Sequence, residues 1–422
     1  MQKNYLYVGI DVSLKTLVTC VIDSSGSTIL KPKTFSNSPD GLDTLLTTIV
    51  SIASNFDTPC IMLGVEATSV YANHLLYSIV DSNILKDVEC HSYQLNPKLV
   101  KKFKDAMGDL PKNDNSDSFV IASRIKMGSL PQECYINFKQ LGLQRLTRYR
   151  LHLIQAIARE KTYMVSNLFL KFSTLAQEKV FSNNFGATAE ALLTEFETTE
   201  DIASKPIDEL ISIVEVASKK RFNDIHETAL AIQKAANSSF KLNKSLDISL
   251  SIVIKSCYAN IDSLEKAVKH LDIAIKKEVE TLFYNDNLIL NSIGGIGPVI
   301  SAGIISEIGD ISRFRNDNAL AKYSGLVWSQ YQSGEYEAQD TKLRKTGNSY
   351  LRYYFCIAAD CMRKNDDTFK KYYSGKFGEV KSHQHKRALV LTARKAIRLI
   401  FSLLQEKRLY IPSNERGDAY RK

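Results

Sequence analysis

Along the first hundred residues the apolar positions fall in short runs divided by polar turns. Residues 5–11, YLYVGID, are apolar and β-branched and close on an acid; residues 16–23, TLVTCVID, and 28–35, TILKPKTF, follow. Runs of this length bounded by polar clusters predict three strands, with Ser24-Ser25-Gly26-Ser27 turning the second into the third. Asn37-Ser38-Pro39-Asp40 is a helix-starting sequence and predicts a helix over 42–52. Residues 60–66, CIMLGVE, form a further buried strand that again ends on an acid. A helix is expected around 71–80 and a strand near 88–93. Strands first, then helix and strand in alternation, give a mixed sheet covered by helices.

The pattern changes beyond residue 140. The segment 140–283 is helical in character, and LQRLTRYRLHLIQAIAREKTYMV mixes Leu and Ile spacing with arginines. Residues 173–239 read as a polar helical insertion without evident chemistry. Ile254, Cys257, Ile261, Leu264, Val268, Leu271, Ile275, Glu278 and Leu282 then fall on alternating steps of three and four. Such a seam pairs with another helix, either the one over 140–166 or that of a second protomer. Further on, SIGGIGPVISAGIISEIG has the form of two short helices around a Gly-rich turn, a helix-hairpin-helix pattern.

Length and composition narrow the class. A chain of 422 residues is expected to hold two or three domains. Hydrophobic residues at 44% and charged ones at 24% describe a folded globular protein rather than a disordered one. The seven cysteines include no CxxC pair and no Cys/His motif, which argues against a disulfide framework or a sequence-evident zinc site. The chain opens directly into a strand and holds no apolar run long enough for a bilayer, so a cytoplasmic protein without a membrane partner is expected.

Four acids carry the candidate chemistry. Asp11 and Glu66 close two predicted buried strands, and Asp114 and Asp117 stand three apart in KNDNSDSFVIASRI, on one face if that segment is helical. Acids at the ends of the first and fourth strands and on a late helix are the pattern of a ribonuclease-H-like fold. Four gathered carboxylates suit hard divalent cations, most naturally a pair of Mg²⁺ ions. Set in a chain of net charge +9, they point to a polyanionic substrate, with nucleic acid first. Lys101, Lys102 and Lys104, close before the third acid, fit phosphate contacts. Arg145 and Arg148 either grip nucleic acid or form an ordinary helix surface. The backbone N–H groups at Gly295 and Gly297 can meet a phosphate. Lys342, Arg344, Lys345 and Arg352, among tyrosines and beside Gly347-Asn348, suit a nucleic-acid backbone.

Taken in order, YVGIDVS, GVEATSVY, KNDNSDSFVIA, NSIGGIGPVISAGIISEIGDISRF and SGLV…YQSG…KLRKTGNSYLR resemble the DEDD transposases of bacterial insertion sequences, the family of bridge-RNA-guided recombinases. The resemblance covers about residues 5–122 and 290–405. It implies an N-terminal domain similar to the junction resolvase RuvC over 1–135. A helical, coiled-coil linker with an insertion would follow over 136–285, a mainly α C-terminal domain over 286–410, and a tail over 411–422. It places the metal-holding acids at Asp11, Glu66, Asp114 and Asp117 and a serine nucleophile at Ser333, with Ser329, Tyr331 and Tyr336 as neighbouring hydroxyls. Mg²⁺, DNA, a guide RNA and a dimer or tetramer are implied. Two other readings use some of the same residues: a RuvC-like, structure-selective endonuclease working with water, and a sugar-kinase or actin-like ATPase in which VGIDVS is a phosphate loop. The second lacks another Gly-rich phosphate motif.

Overall fold

The computed structural model describes residues 3–67, 70–108, 111, 113–131, 133–134, 136–178, 180–181, 183–218, 224–328, 332–333, 336–337, 343–344 and 346–412. It divides into two compact units, Met1–Asn137 and Phe138–Lys422.

The first unit is built on a five-stranded sheet in the order β3-β2-β1-β4-β5. The strands are β1 (Asn4–Val12), β2 (Thr16–Ile22), β3 (Thr28–Ser36), β4 (Pro59–Glu66) and β5 (Glu89–Leu95). β2 runs antiparallel to both β1 and β3, whereas β4 and β5 lie parallel to β1. Helix α1 (Pro39–Ala53) starts at Ser38, whose side chain accepts from the Gly41 amide. It buries Leu42, Leu45, Leu46 and Ile49 with Leu6, Val8, Ile10, Ile61, Leu63 and Val65 from the sheet. These are the even positions of β1 and the odd positions of β4, so that face is apolar as strand alternation requires. Helix α2 (Asn73–Asp81) adds Leu75 and Leu76 to the same core. The last strand runs to Leu95, two residues beyond its predicted end, because Leu95 is itself buried and its carbonyl accepts from the Ala67 amide. Two further helices follow, α3 (Pro97–Ala106) and α4 (Asp114–Lys126). Val100 of α3 and Val120, Ile121 and Ile125 of α4 pack with Leu95, Tyr7, Met62 and Tyr93, on the other face. A mixed α/β unit of this topology is consistent with the ribonuclease-H-like expectation.

The second unit is mainly helical. Helix α5 (Phe138–Lys171) leads out, followed by α6 (Ser173–Glu178), α7 (Ala187–Glu195), α8 (Thr199–Ser204), α9 (Ile207–Ser218) and α10 (Ile225–Ser238). Helix α11 (Lys244–Leu282) returns along α5. The pairs Arg150–Asp272, Lys161–Glu265 and Lys171–Asp247 fix the two as antiparallel. Ile254, Cys257, Ile261, Val268 and Ile275 are buried along the seam, so α5 of the same chain covers the stripe whose partner sequence left open. Residues of α6 to α10 close a core of their own with this helix pair, including Phe172, Leu192, Leu210 and Ile232.

The chain ends in α12 (Tyr284–Asn291), α13 (Pro298–Ile308), α14 (Asp317–Ser324), α15 (Ser349–Asn365), α16 (Asp367–Gly378) and α17 (Gln384–Glu406). Their shared core holds Ile304, Leu320, Phe355 and Ile397. Between α14 and α15 the strands β6 (Val327–Trp328), β7 (Gln332–Ser333), β8 (Tyr336–Glu337) and β9 (Leu343–Arg344) pair as β6 with β9 and β7 with β8. No helix among the described residues is long and apolar enough to cross a membrane.

Candidate functional site

What brings the acids together is the seating of α4 on the sheet. On β1 the odd residues Tyr5, Tyr7, Gly9 and Asp11 face α4; on β4 the even residues Cys60, Met62, Gly64 and Glu66 do so. Gly9 and Gly64 are direct neighbours in the parallel ladder. A Cβ on Gly9 would stand 2.1 Å from the Ser118 carbonyl oxygen and 2.3 Å from the Ala122 amide nitrogen. One on Gly64 would stand 2.2 Å from Cδ1 of Ile125. At Gly9 only glycine admits the helix backbone this close, and at Gly64 the missing side chain leaves room for Ile125. Two residues beyond each glycine come Asp11 and Glu66, the latter the last residue of β4. The first turn of α4 holds Asp114 and Asp117, and the Asn113 side chain caps it by accepting from the Ser116 amide.

The electrostatics follow from this packing. Burial, then the charges of Asp114 and Asp117, push the Asp11 carboxyl above its ordinary value. Burial, then the charges of Asp11 and Asp117, do the same for Glu66. Lys104 opposes both shifts. Its Nζ lies 2.5 Å from Asp117 Oδ1 and 3.2 Å from Ser116 Oγ, and its side chain is only 16% exposed. Oxygen-only donors that raise one another, relieved by one half-buried ammonium, are a donor set suited to a hard divalent cation. No three of these carboxylates offer oxygens within 4.8 Å of one another; Cys60, Glu89 and His91 are the one trio among the described residues that does so. A pair of ions about 4 Å apart would draw on donors spread more widely than a single-ion trio.

The other residues singled out from sequence are distributed as follows. Lys101 and Lys102 are exposed on α3, and Arg145 is exposed on α5. Arg148 is turned inward: its Nε and Nη2 donate to the two carboxylate oxygens of Glu307 at 2.7 and 2.8 Å. Arg352 Nη1 donates to the Ser324 carbonyl at 3.2 Å. Gly295 has φ +94°, and a Cβ there would stand 2.7 Å from the Cys361 carbonyl oxygen, so α15 itself requires this glycine. Gly297, which precedes α13, has open space at that position. Ser333 lies in β7, its backbone in register with Tyr336 of β8. Arg344 lies in β9, opposite Val327. Lys342, Lys345, Ser329 and Tyr331 lie outside the described residues, as does most of the expected tail.

Glu307 is the residue that sequence reading missed. It is fully buried on α13 and receives Arg148, Gln144 Nε2 at 3.2 Å and Asn348 Nδ2 at 2.6 Å. Asn348 in turn accepts from the amides of Tyr350 and Leu351 and donates its own amide to the Tyr323 carbonyl. The base of the segment that carries Ser333 is thereby fixed to α5, α13 and α15. The one sequence signal was an acid inside the apolar run PVISAGIISEIG, where an unpaired charge would be costly.

Comparisons with known proteins add a family. A DEDD transposase model of the IS110 type, described as a transposase, matches residues 8–172. A second, described as transposase of the IS116/IS110/IS902 family, matches residues 287–374. The chain is 23% identical over 334 residues to an uncharacterized 44.8 kDa protein of insertion element IS116 from Streptomyces clavuligerus, covering 75% of this chain and 77% of that protein. It is 25% identical over 161 residues to an uncharacterized 43.6 kDa protein of insertion element IS110 from Streptomyces coelicolor, covering 38% of each.

Proposed function

This chain belongs to the IS110/IS116 family of transposases, and from that premise we propose that it cuts and rejoins DNA strands with Asp11, Glu66, Asp114, Asp117 and Ser333. The observation that carries the reading is the glycine-dependent seat of α4, which sets the four acids at one end of one sheet face. The acids would hold Mg²⁺, which supplies charge neutralisation at a scissile phosphodiester. Lys104 balances Asp117 within the site and is the group positioned to yield it to a cation.

Ser333 Oγ attacks the phosphorus and displaces a sugar hydroxyl, giving a phosphoserine diester; the hydroxyl of a second strand reverses the step and restores the serine. Bond energy is conserved across the exchange, which suits recombination better than hydrolysis. The Glu307–Asn348 anchor and the pairing of β6 with β9 fix the base of the serine segment. A guide RNA would supply target choice, and the exposed Lys101, Lys102 and Arg145 would meet phosphates of DNA or RNA. A dimer or tetramer would hold the element ends together.

The test is cleavage of element-end DNA by variants that still fold. Asp11→Asn and Glu66→Gln should lower strand cleavage at least about 10³-fold with DNA or RNA binding retained. Ser333→Ala should leave no covalent protein–DNA adduct on a denaturing gel. Cleavage that persists in Ser333→Ala without an adduct would replace the serine by water, as in a RuvC-like endonuclease.

A further inference from the structure

The face of the sheet that carries the acids has a second cluster at its opposite end. β1, β4 and β5 are parallel, and Tyr5, Cys60 and Glu89 stand side by side at their beginnings. His91 follows Glu89 by two residues and so shares its face. The Cys60 sulfur, a Glu89 oxygen and a His91 ring nitrogen all lie within 4.8 Å of one another. From Cys60 to Glu66 is six residues of β4, roughly 20 Å. The two clusters are therefore separate sites.

We propose that Cys60, Glu89 and His91 bind one zinc-class divalent ion, with Glu133 orienting the histidine. Thiolate and imidazole are soft or borderline donors that favour zinc over magnesium, unlike the all-oxygen set at the far end. His91 Nδ1 lies 2.9 Å from Glu133 Oε1, the carboxylate–histidine arrangement that fixes the ring so that Nε2 faces a metal. His91 Nε2 is 3.0 Å from Glu89 Oε1, a hydrogen-bond separation that need open only by a few tenths of an ångström to reach the roughly 3.3 Å between donors of a tetrahedral site with bonds of about 2.0 Å. The place is already cation-binding: Lys3 Nζ lies 2.7 and 2.6 Å from the two Glu89 oxygens. A divalent ion displaces that ammonium, and the thiol proton of Cys60 leaves to solvent as the sulfur coordinates. Cys60 is buried while Glu89 and His91 reach the surface, so the ion has an entry path on one side and a dry sulfur on the other. The ion would staple β4 to β5. Through Glu133 it would also fasten the 133–134 segment, whose Cys134 amide already donates to the Ser92 carbonyl.

The experiment titrates the full-length, metal-stripped protein with Co²⁺ and follows the near-ultraviolet thiolate-to-cobalt band. One equivalent should produce the band, and Zn²⁺ should abolish it. Cys60→Ser should remove it, and His91→Gln should weaken binding at least tenfold. Glu133→Gln should weaken it roughly 10- to 100-fold while keeping the band's shape. Cys90→Ser, on the opposite face of β5, and Asp11→Asn, in the acidic site, should leave it unchanged. A wild-type protein without the band overturns the site, as does a band of full strength in Cys60→Ser or in His91→Gln.

Discussion

Asp11 and Glu66 are carboxyls whose ionised form the fold penalises. Each is raised above its ordinary value, by burial first and by neighbouring acids next. The sign for stability follows by linkage: below the ordinary carboxylate range, about pH 4, both are protonated in folded and unfolded chain alike and nothing is lost. As pH rises from there through the raised values, the folded state is progressively disfavoured, and the penalty is complete once the pH lies above them. Asp11→Asn should therefore raise the Tm of the metal-free protein at pH 7 and have little effect near pH 4. Mg²⁺ should raise the wild-type Tm more than that of the variant. Thermal melts in chelator and in Mg²⁺ at both pH values measure this, and a variant less stable than wild type at pH 7 without metal would sink it. The acids were visible in the sequence because each closes an apolar run or sits at fixed spacing. Lys104 was visible as a charge, but its inward turn toward Asp117 was not. Lys171, buried with Asp247 at 2.6 Å, was invisible for the same reason: a lysine's long stem lets one letter serve surface or core.

At the scale of elements, the glycines decide more than their number suggests. Gly9 and Gly64 interrupt two strands that would otherwise read as uniform buried runs; Gly9 marks where helix backbone touches sheet backbone, and Gly64 where the Ile121 and Ile125 side chains of α4 press onto the strand. Gly9→Ala should push α4 off the sheet, destabilise the first unit by about 1–3 kcal/mol and lower cleavage more than binding. Chemical denaturation together with a cleavage assay separates the two effects; unchanged cleavage in a folded Gly9→Ala protein would show that α4 need not sit so close. The strands and α1 were legible from alternation and capping, since those signals are local. The seam on α11 was legible from its heptad steps, but its partner was not, because α5 and a second protomer offer the same apolar stripe. The role of Glu307 was illegible, since its partners Arg148 and Asn348 lie 159 and 41 residues away.

At the scale of the whole molecule, the net charge of +9 coexists with arginines that are already committed within the fold, Arg148 and Arg150 among them. The gross count of 55 lysines and arginines therefore overstates the cations left for a polyanion, while the net charge, which already subtracts their acidic partners, does not. The exposed lysines of α3 still predict that affinity for DNA or RNA falls steeply with salt. A log–log slope from filter binding should be clearly negative and should shrink by about one for Lys101→Ala. A flat response would argue against phosphate contacts altogether.

Because α5 travels outward and α11 travels back beside it, the 173–238 helices hang from the far end of a two-railed spar. At about 1.5 Å per residue, 39 residues of α11 make that spar nearly 60 Å long. Trimming both rails by the same whole number of heptads would draw the outboard bundle inward while leaving the hub around Glu307 untouched. Any distance this bundle gauges would then shorten by a known amount for each heptad removed.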